Sequence, residues 1–307
     1  MSVRDFYASL SPRYRLFFVL LTVLCGQIAG FLWIALTIKP WFGISFSALP
    51  QVVSAASQAE VVAALRYSQA VQSLCIFLFP ALWIYHYAGG LVFYCKEKSS
   101  FWSVETLVAL LLLISSLPCI EVLASWNEQF SLPDAWFRME QWIRAREAQA
   151  AVLSDLLIQA DSPGALMLNL FIMALLPALG EEWMFRGILQ PIFIRETGKI
   201  WKGIWLTAAL FSLVHFQFLG FFPRMLLGAM LGYLFYWTRN LWISVLVHGV
   251  NNALVILGDY FQYSGFFQGN FSAGEGDSDA WRFVLTGAAF TVVWLGWFIR
   301  RQSLLRE

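Results

Sequence analysis

The sequence predicts an all-α protein, a polytopic transmembrane helix bundle of about eight membrane helices with one amphipathic helix at an interface. Three observations predict it. Of 307 residues, 59% are apolar and only 13% charged, with a mean hydropathy of +0.65; a soluble domain carries about twice that charged fraction. Several apolar runs approach the ~20 residues that cross a bilayer as a helix. Lysine and arginine fall on alternate loops, as the positive-inside rule expects of a threaded chain.

The apolar runs are 16–38, 70–94, 104–123, 165–190, 203–219, 224–238, 241–258 and 281–299. The first is too long for a signal-peptide core and no small-residue cleavage site follows it, so it is expected to remain as a membrane helix. The sixth and seventh are short and separated only by Thr238-Arg239-Asn240, which reads as a tight hairpin. With eight crossings the basic residues share one side. Arg4, Arg13 and Arg15 precede the first helix, and Lys96 and Lys98 follow the second. Arg195, Lys199 and Lys202 follow the fourth, Arg239 the sixth, and Arg300, Arg301 and Arg306 the eighth. Both termini are then cytoplasmic. The stretch 259–280 on the other side contains Asp259, Glu275, Asp277 and Asp279 and no Lys or Arg.

This divides the chain into an N-terminal membrane region (1–164), a C-terminal membrane region (165–299) and a short cytoplasmic tail (300–307). The first region ends in the longest polar stretch, about 124–164, placed outside the cytoplasm. Trp136, Met139, Ile143, Ala150, Leu153 and Leu157 recur there at near-helical spacing, and Asp134 after Pro133 marks a start. An interfacial helix with its aromatics dipping inward is expected, and a lid over a substrate opening is the functional alternative. Cys25, Cys75, Cys95 and Cys119 show no metal-type spacing and read as buried small hydrophobes. Gly26-x-x-x-Gly30 and Gly228-x-x-x-Gly232 permit close helix contact. No nucleic-acid motif or basic block appears; the expected surroundings are the lipid bilayer.

Ionisable groups inside membrane helices are costly, and each needs a reason. The fourth run carries Pro177-Ala178-Leu179-Gly180-Glu181-Glu182-Trp183-Met184-Phe185-Arg186. Glu182 and Arg186 are four apart and can pair. Glu181 is turned about 100° from its neighbour and is left for other work. Pro177 removes a backbone hydrogen bond just before this point, so a local kink and a wet pocket are expected. The fifth run ends with Phe211-Ser212-Leu213-Val214-His215, and the seventh carries His248 and Asn252 one turn apart. A lone intramembrane histidine is more often a helix-bridging hydrogen bonder, which is how His86 is read, and a lone Glu–Arg pair can simply hold a bundle together. Five strongly polar residues confined to three helices are better explained by convergence on one interior site.

These motifs, in this order on separate helices, resemble the CPBP (Abi) family of intramembrane proteases, of the CAAX prenyl endopeptidase and bacteriocin-processing type. Glu-Glu-x-x-x-Arg is Glu181 to Arg186, Phe-x-x-x-His is Phe211 to His215, and His-x-x-x-Asn is His248 to Asn252. The resemblance spans about 165–258. It implies that Glu181 is the general base, that His215 positions the water, and that His248 and Asn252 stabilise the oxyanion. Glu182, Arg186 and Phe211 would support them. It implies substrates that are membrane-embedded or lipidated peptides and proteins, and a multi-pass protein of a bacterial plasma membrane.

The chemistry agrees with those roles. An apolar site disfavours the charged form of a carboxylate, which suits a general base. Donors aimed at an oxyanion contribute about 3 kcal/mol each. No cofactor is expected, although Glu181, His215 and His248 would make a ligand set for zinc. The metal-free reading is preferred because HExxH is absent and Asn252 stands one turn after His248, where an amide is a poor zinc ligand but a good oxyanion donor. Two other classes compete: a non-catalytic immunity or scaffold protein binding a peptide in the same cavity, and a proton-coupled transporter, weakened by the absence of an inverted repeat.

Overall fold

The structure is a computed structural model and describes residues 5, 7, 9–46, 59–88, 102–263 and 278–304. Arg4, Cys95, Lys96, Lys98, Glu275, Asp277 and Arg306 lie outside the described residues. Among those described there are helices and no strand.

Helix α1 is Pro12–Phe42, with proline in its first turn, and it stops at Gly43, whose φ of 71° suits a residue without Cβ. Helix α2 begins at Ala59–Ser73, widens through a π-helical turn at Leu74–Leu78 and continues as Phe79–Ala88. Helix α3, Val104–Glu128, is capped by Ser103, whose side chain accepts the Thr106 N–H. A short turn at Asp134–Trp136 leads into α4, Phe137–Ile158. Helix α5 runs from Pro163–Asn169 through a wide turn at Leu170–Leu175, regular Leu176–Glu182, a second wide turn at Trp183–Leu189, and Gln190–Thr197. The last four helices are α6 (Ile200–Leu213), α7 (Phe221–Thr238), α8 (Leu241–Tyr263) and α9 (Ser278–Leu304).

The wide turns have a common cause. Each ends two residues before a proline: Pro80, Pro177 and Pro191. Proline cannot donate to the carbonyl four residues back and its ring crowds that carbonyl. Those carbonyls belong to Ile76, Met173 and Gly187, each inside its widened turn. The kink expected at Pro177 is thus absorbed by π-turns on both sides of the Glu-Glu motif, a location where such turns often mark function.

The two largest apolar cores among the described residues hold the centre of the bundle. One gathers Val19 of α1, Ile84 of α2, Phe185 and Ile188 of α5, Phe211 of α6 and Phe235 of α7. The other joins Leu112 of α3, Leu231 of α7, Val247 of α8 and Phe298 of α9. Helices α7 and α8 border both and form the tight hairpin expected at 238–240, where Arg239 adopts φ 56° and the Asn240 N–H is accepted by Thr238 Oγ1 at 3.2 Å. The glycine motifs do what small residues allow. A Cβ on Gly26 would strike the Cys75 carbonyl of the first wide turn, and one on Gly180 would come within 3.0 Å of Phe77 Cβ.

Among the described residues six helices are long and apolar enough to cross a membrane: α1, α2, α3, α5, α8 and α9. The eight anticipated include two that fall short, because α6 has 14 residues and α7 carries Pro223 and Arg224 in its first turn. Ion pairs place basic segments together: Arg13 of α1 meets Glu196 at the end of α5 at 2.6 Å, and Arg301 of α9 meets Glu105 at the start of α3.

Three expectations are corrected. The run 203–219 is not one helix; α6 ends at Leu213 and the chain turns through Phe216 at φ 53°, so His215 lies in the turn beyond the helix. Helix α4 forms, but only Ile143 and Leu157 of the proposed stripe are buried, while Trp136, Met139 and Leu153 are exposed. Trp142 packs on Phe218, 6.1 Å between ring centres, while Trp136 and Met139 are left for the membrane interface. The described cysteines are free, but Cys25 is exposed, and Cys75 and Cys119 are only half-buried where they face the glycines of α1 and the Val284 carbonyl of α9.

Candidate active site

Three elements bring the polar residues together. Glu181 and Glu182 come from the regular segment of α5 between its wide turns, His215 from the turn after α6, and His248 and Asn252 from the middle of α8. Glu181, His215, His248 and Asn252 line one cavity of about 410 Å³, with Phe211 in its wall. The sequence motifs therefore share a space, although they are far apart along the chain.

Glu182 and Arg186 pair as their spacing requires: Nη1 donates to Glu182 Oε1 at 2.7 Å, with both side chains fully buried. Arg186 Nη2 donates to the Gly228 carbonyl at 2.9 Å. Its guanidinium carbon lies 4.8 Å from the centre of the Phe211 ring. One turn on, Gln190 Nε2 donates to the Gly232 carbonyl at 3.1 Å. A Cβ on Gly232 would stand 2.7 Å from Gln190 Oε1. The second glycine motif thus brings α7 close enough for its backbone to receive two buried side chains from α5.

Glu182 holds a second partner that spacing did not suggest. His248 Nδ1 donates to Glu182 Oε1 at 2.8 Å. Its other nitrogen, Nε2, faces Glu181 Oε2 at 3.8 Å, too long for a hydrogen bond. The imidazole is therefore strung between the two carboxylates, with Nδ1–H committed to one and Nε2 turned toward the other. Phe211 packs edge-on against both imidazoles, 5.0 Å from His215 and 5.7 Å from His248 between ring centres, which fixes their planes.

His215 Nδ1 donates to the Phe211 carbonyl at 2.7 Å, satisfying one of the last carbonyls of α6 and leaving Nε2 as the acceptor of the neutral ring. The turn that carries it is pinned by neighbours, as non-helical backbone at membrane depth must be. Ser212 Oγ donates to the Phe221 carbonyl at 2.7 Å, and Asn127 of α3 donates to the carbonyls of Phe218 and Leu219. Glu147 of α4 accepts the Leu219 N–H at 2.9 Å.

Glu181, His215 and His248 are the ligand set that zinc would use. Among the described residues no three His, Cys, Asp or Glu side chains are arranged to hold a metal ion. His248 Nε2 and Glu181 Oε2 stand 3.8 Å apart, and the Nδ1–H given to Glu182 leaves Nε2 as the nitrogen open to another partner.

Residues 163–254 match the family model of type II CAAX prenyl endopeptidase, Rce1-like. That segment is similar to an Rce1-like domain. It runs from the start of α5 into α8 and contains every motif residue quoted above. The chain is also similar to the uncharacterized protein YpbD of Bacillus subtilis (strain 168), 28% identical over 90 residues. The match covers 28% of this chain and 43% of YpbD, so the chain spans less than half the length of that curated relative. No solved structure matches.

The matched segment does not build the cavity alone. Gln69 of α2 and Ser154 and Ile158 of α4 complete the wall. Arg224, near the start of α7, lines it as well and was not singled out from the sequence. The signal was there: a lone arginine inside the apolar run Phe221-Phe222-Pro223-Arg224-Met225-Leu226-Leu227 is itself an ionisable group at membrane depth.

Proposed function

We propose that this protein is an intramembrane endopeptidase that hydrolyses peptide bonds of membrane-embedded or lipidated substrates with water activated by Glu181. The observation that carries the reading is the convergence of Glu181, His215, His248 and Asn252 on one cavity whose remaining wall is mostly apolar. Water sits between the Glu181 carboxylate and Nε2 of His215, held as donor to both. Glu181 takes a proton as the water oxygen attacks the scissile carbonyl. The oxyanion is met by the Asn252 amide and by Nε2–H of His248. Because Nδ1–H is already given to Glu182, that second donor requires the imidazolium; with Glu182 paired to Arg186, its charge is balanced by Glu181 and, once Glu181 takes the proton, by the oxyanion itself. Collapse of the tetrahedral intermediate breaks the C–N bond, and Glu181 returns its proton to the leaving amine.

The surroundings suit such substrates. An apolar groove of about 320 Å³ borders the turn that carries His215, with Phe130, Ile143, Leu213, Phe218 and Phe222 in its wall, and it has the character to take a lipid chain or an apolar helix end. The basic ends of α1 and α5, clasped by Arg13 and Glu196, are assigned to the cytoplasmic side with both termini, in a bacterial plasma membrane.

The test uses purified wild type and Glu181→Gln in detergent, each incubated with prenylated and unprenylated membrane peptides and read by mass spectrometry, with and without a chelator. Cleavage by wild type alone, unchanged by chelator, is expected. Equal cleavage by pure Glu181→Gln protein would overturn the glutamate mechanism, and chelator sensitivity would bring back the zinc site. A peptide bound tightly by both proteins and cut by neither would favour the immunity or scaffold reading.

A further inference from the structure

Arg224 has no part in the reaction above, and its setting calls for a ligand. Its side chain folds over Gly220, where a Cβ would stand 3.1 Å from Nη2. Nη2 donates to Gln217 Oε1 at 2.5 Å. Nη1 is buried and has no hydrogen-bond partner among the described residues. Arg224 lines both the 410 Å³ cavity of the candidate active site and an adjoining polar cleft of about 310 Å³, so it stands where the two meet. It is the only lysine or arginine among the described residues lining either space. Glu147 and Glu181 are near enough to feel its charge but form no ion pair with it within the described contacts. Glu147 is already bonded to the Leu219 N–H.

A half-buried guanidinium whose one buried donor is unused is costly until something completes it. Its planar fork matches a carboxylate, the group a peptide chain carries at its end. The cavity volume lies in the lower part of the range for small-ligand sites, about 300–1,000 Å³, which fits a few residues of extended chain better than a long loop.

We propose that Arg224 is a specificity-determining residue that binds the C-terminal carboxylate of the substrate, placing a bond close to the chain end over Glu181. The proposal rests on the protease reading for its purpose but not for its test. An acidic side chain near the substrate's end offers the same chemistry, and amidation of the terminus separates the two sources.

The probe is a fluorescent S-farnesylated peptide ending in Cys-Val-Ile-Met, prepared as free acid and as C-terminal amide. Binding is measured to full-length Glu181→Gln protein in detergent, and cleavage to the wild type. The free acid is expected to bind and to be cut roughly tenfold better or more, as befits a charge-assisted hydrogen bond. In Arg224→Gln that preference falls to about one, because the free acid loses more than the amide, and Arg224→Lys restores part of it. Arg224→Gln protein that weakens acid and amide equally would assign Arg224 to structure or to the electrostatics of Glu181. Equal treatment of acid and amide by wild type, or binding of neither, also overturns the proposal. An acid preference in binding that depends on Arg224, without cleavage by wild type, would uphold this site while removing the protease reading. Cleavage without any preference would do the reverse.

Discussion

Helices α5 and α9 are nearly alike in apolarity and opposite in surroundings. Their most apolar stretches have mean hydropathies of 1.8 and 1.6, yet 39% of the first is buried in the bundle and 6% of the second. Both are solvated by something apolar. For α9 most of it is lipid, shown by exposed Phe283, Leu285, Val292 and Val293. For α5 it is protein, and only protein can supply partners for Glu182, Arg186 and Gln190. Hydropathy therefore assigns both helices to the membrane, and polar and small residues decide which is placed at the centre. Lipid offers no hydrogen bonds, so a helix that carries buried polar groups is driven inward to find them.

The largest expected difference between the two helices is in activity. Glu181→Gln should reduce cleavage about a thousandfold with little change in the melting temperature of the detergent-solubilised protein, since the amide is close to the carboxylate in shape. Next comes the buried pair. Glu182→Leu strands Arg186 and should destabilise by about 3–5 kcal/mol, read as a lower melting temperature. Glu182→Leu with Arg186→Met should recover much of that stability but not cleavage, because His248 loses the carboxylate that orients it. If the double variant cleaves normally, the His248–Glu182 bond has no functional weight. Third, Gly232→Leu on α7 should cost about 1–3 kcal/mol or more by pushing α7 off Gln190 and Ile204. The smallest effect belongs to α9, where Val292→Ala should stay within about 0.5 kcal/mol. A larger loss there would mean that α9 packs against another protein instead of lipid.

Much of this contrast was legible in the sequence. The i,i+4 spacing of Glu182 and Arg186 specified their pairing, and Pro177 announced a disturbed helix. The tight connection at Arg239 was also readable, since only three residues separate two apolar runs there. What spacing along one helix does not contain is contact between helices. That His248 would bond Glu182 through Nδ1, and that Gly228 and Gly232 would offer their carbonyls to α5, depends on how α5, α7 and α8 are set against one another. The count of crossings blurred where length and polarity disagree: α6 is apolar but short, and α7 is long enough but begins with a proline and an arginine. The end of α6 was misjudged because Val214, Phe216 and Phe218 continue the apolar run past the point where the backbone leaves the helix. Helix α4 was recognised from periodicity, but periodicity does not tell whether an apolar stripe faces protein or membrane.

The three widened turns tie amino-acid identity to chain length. A π-turn is a helix turn with one residue inserted, and here each insertion accompanies a proline two positions beyond it. Loss of Pro191 by point mutation would leave a surplus residue in Trp183–Leu189 with nothing to accommodate. Loss of the residue alone would leave the proline ring against a carbonyl. Either change is harmful by itself and the two together compensate, so proline and insertion should come and go as a unit. Relatives that lack a proline at one of these places are expected to be one residue shorter there, which makes these gaps a historical record of helix geometry that any set of homologous sequences can check.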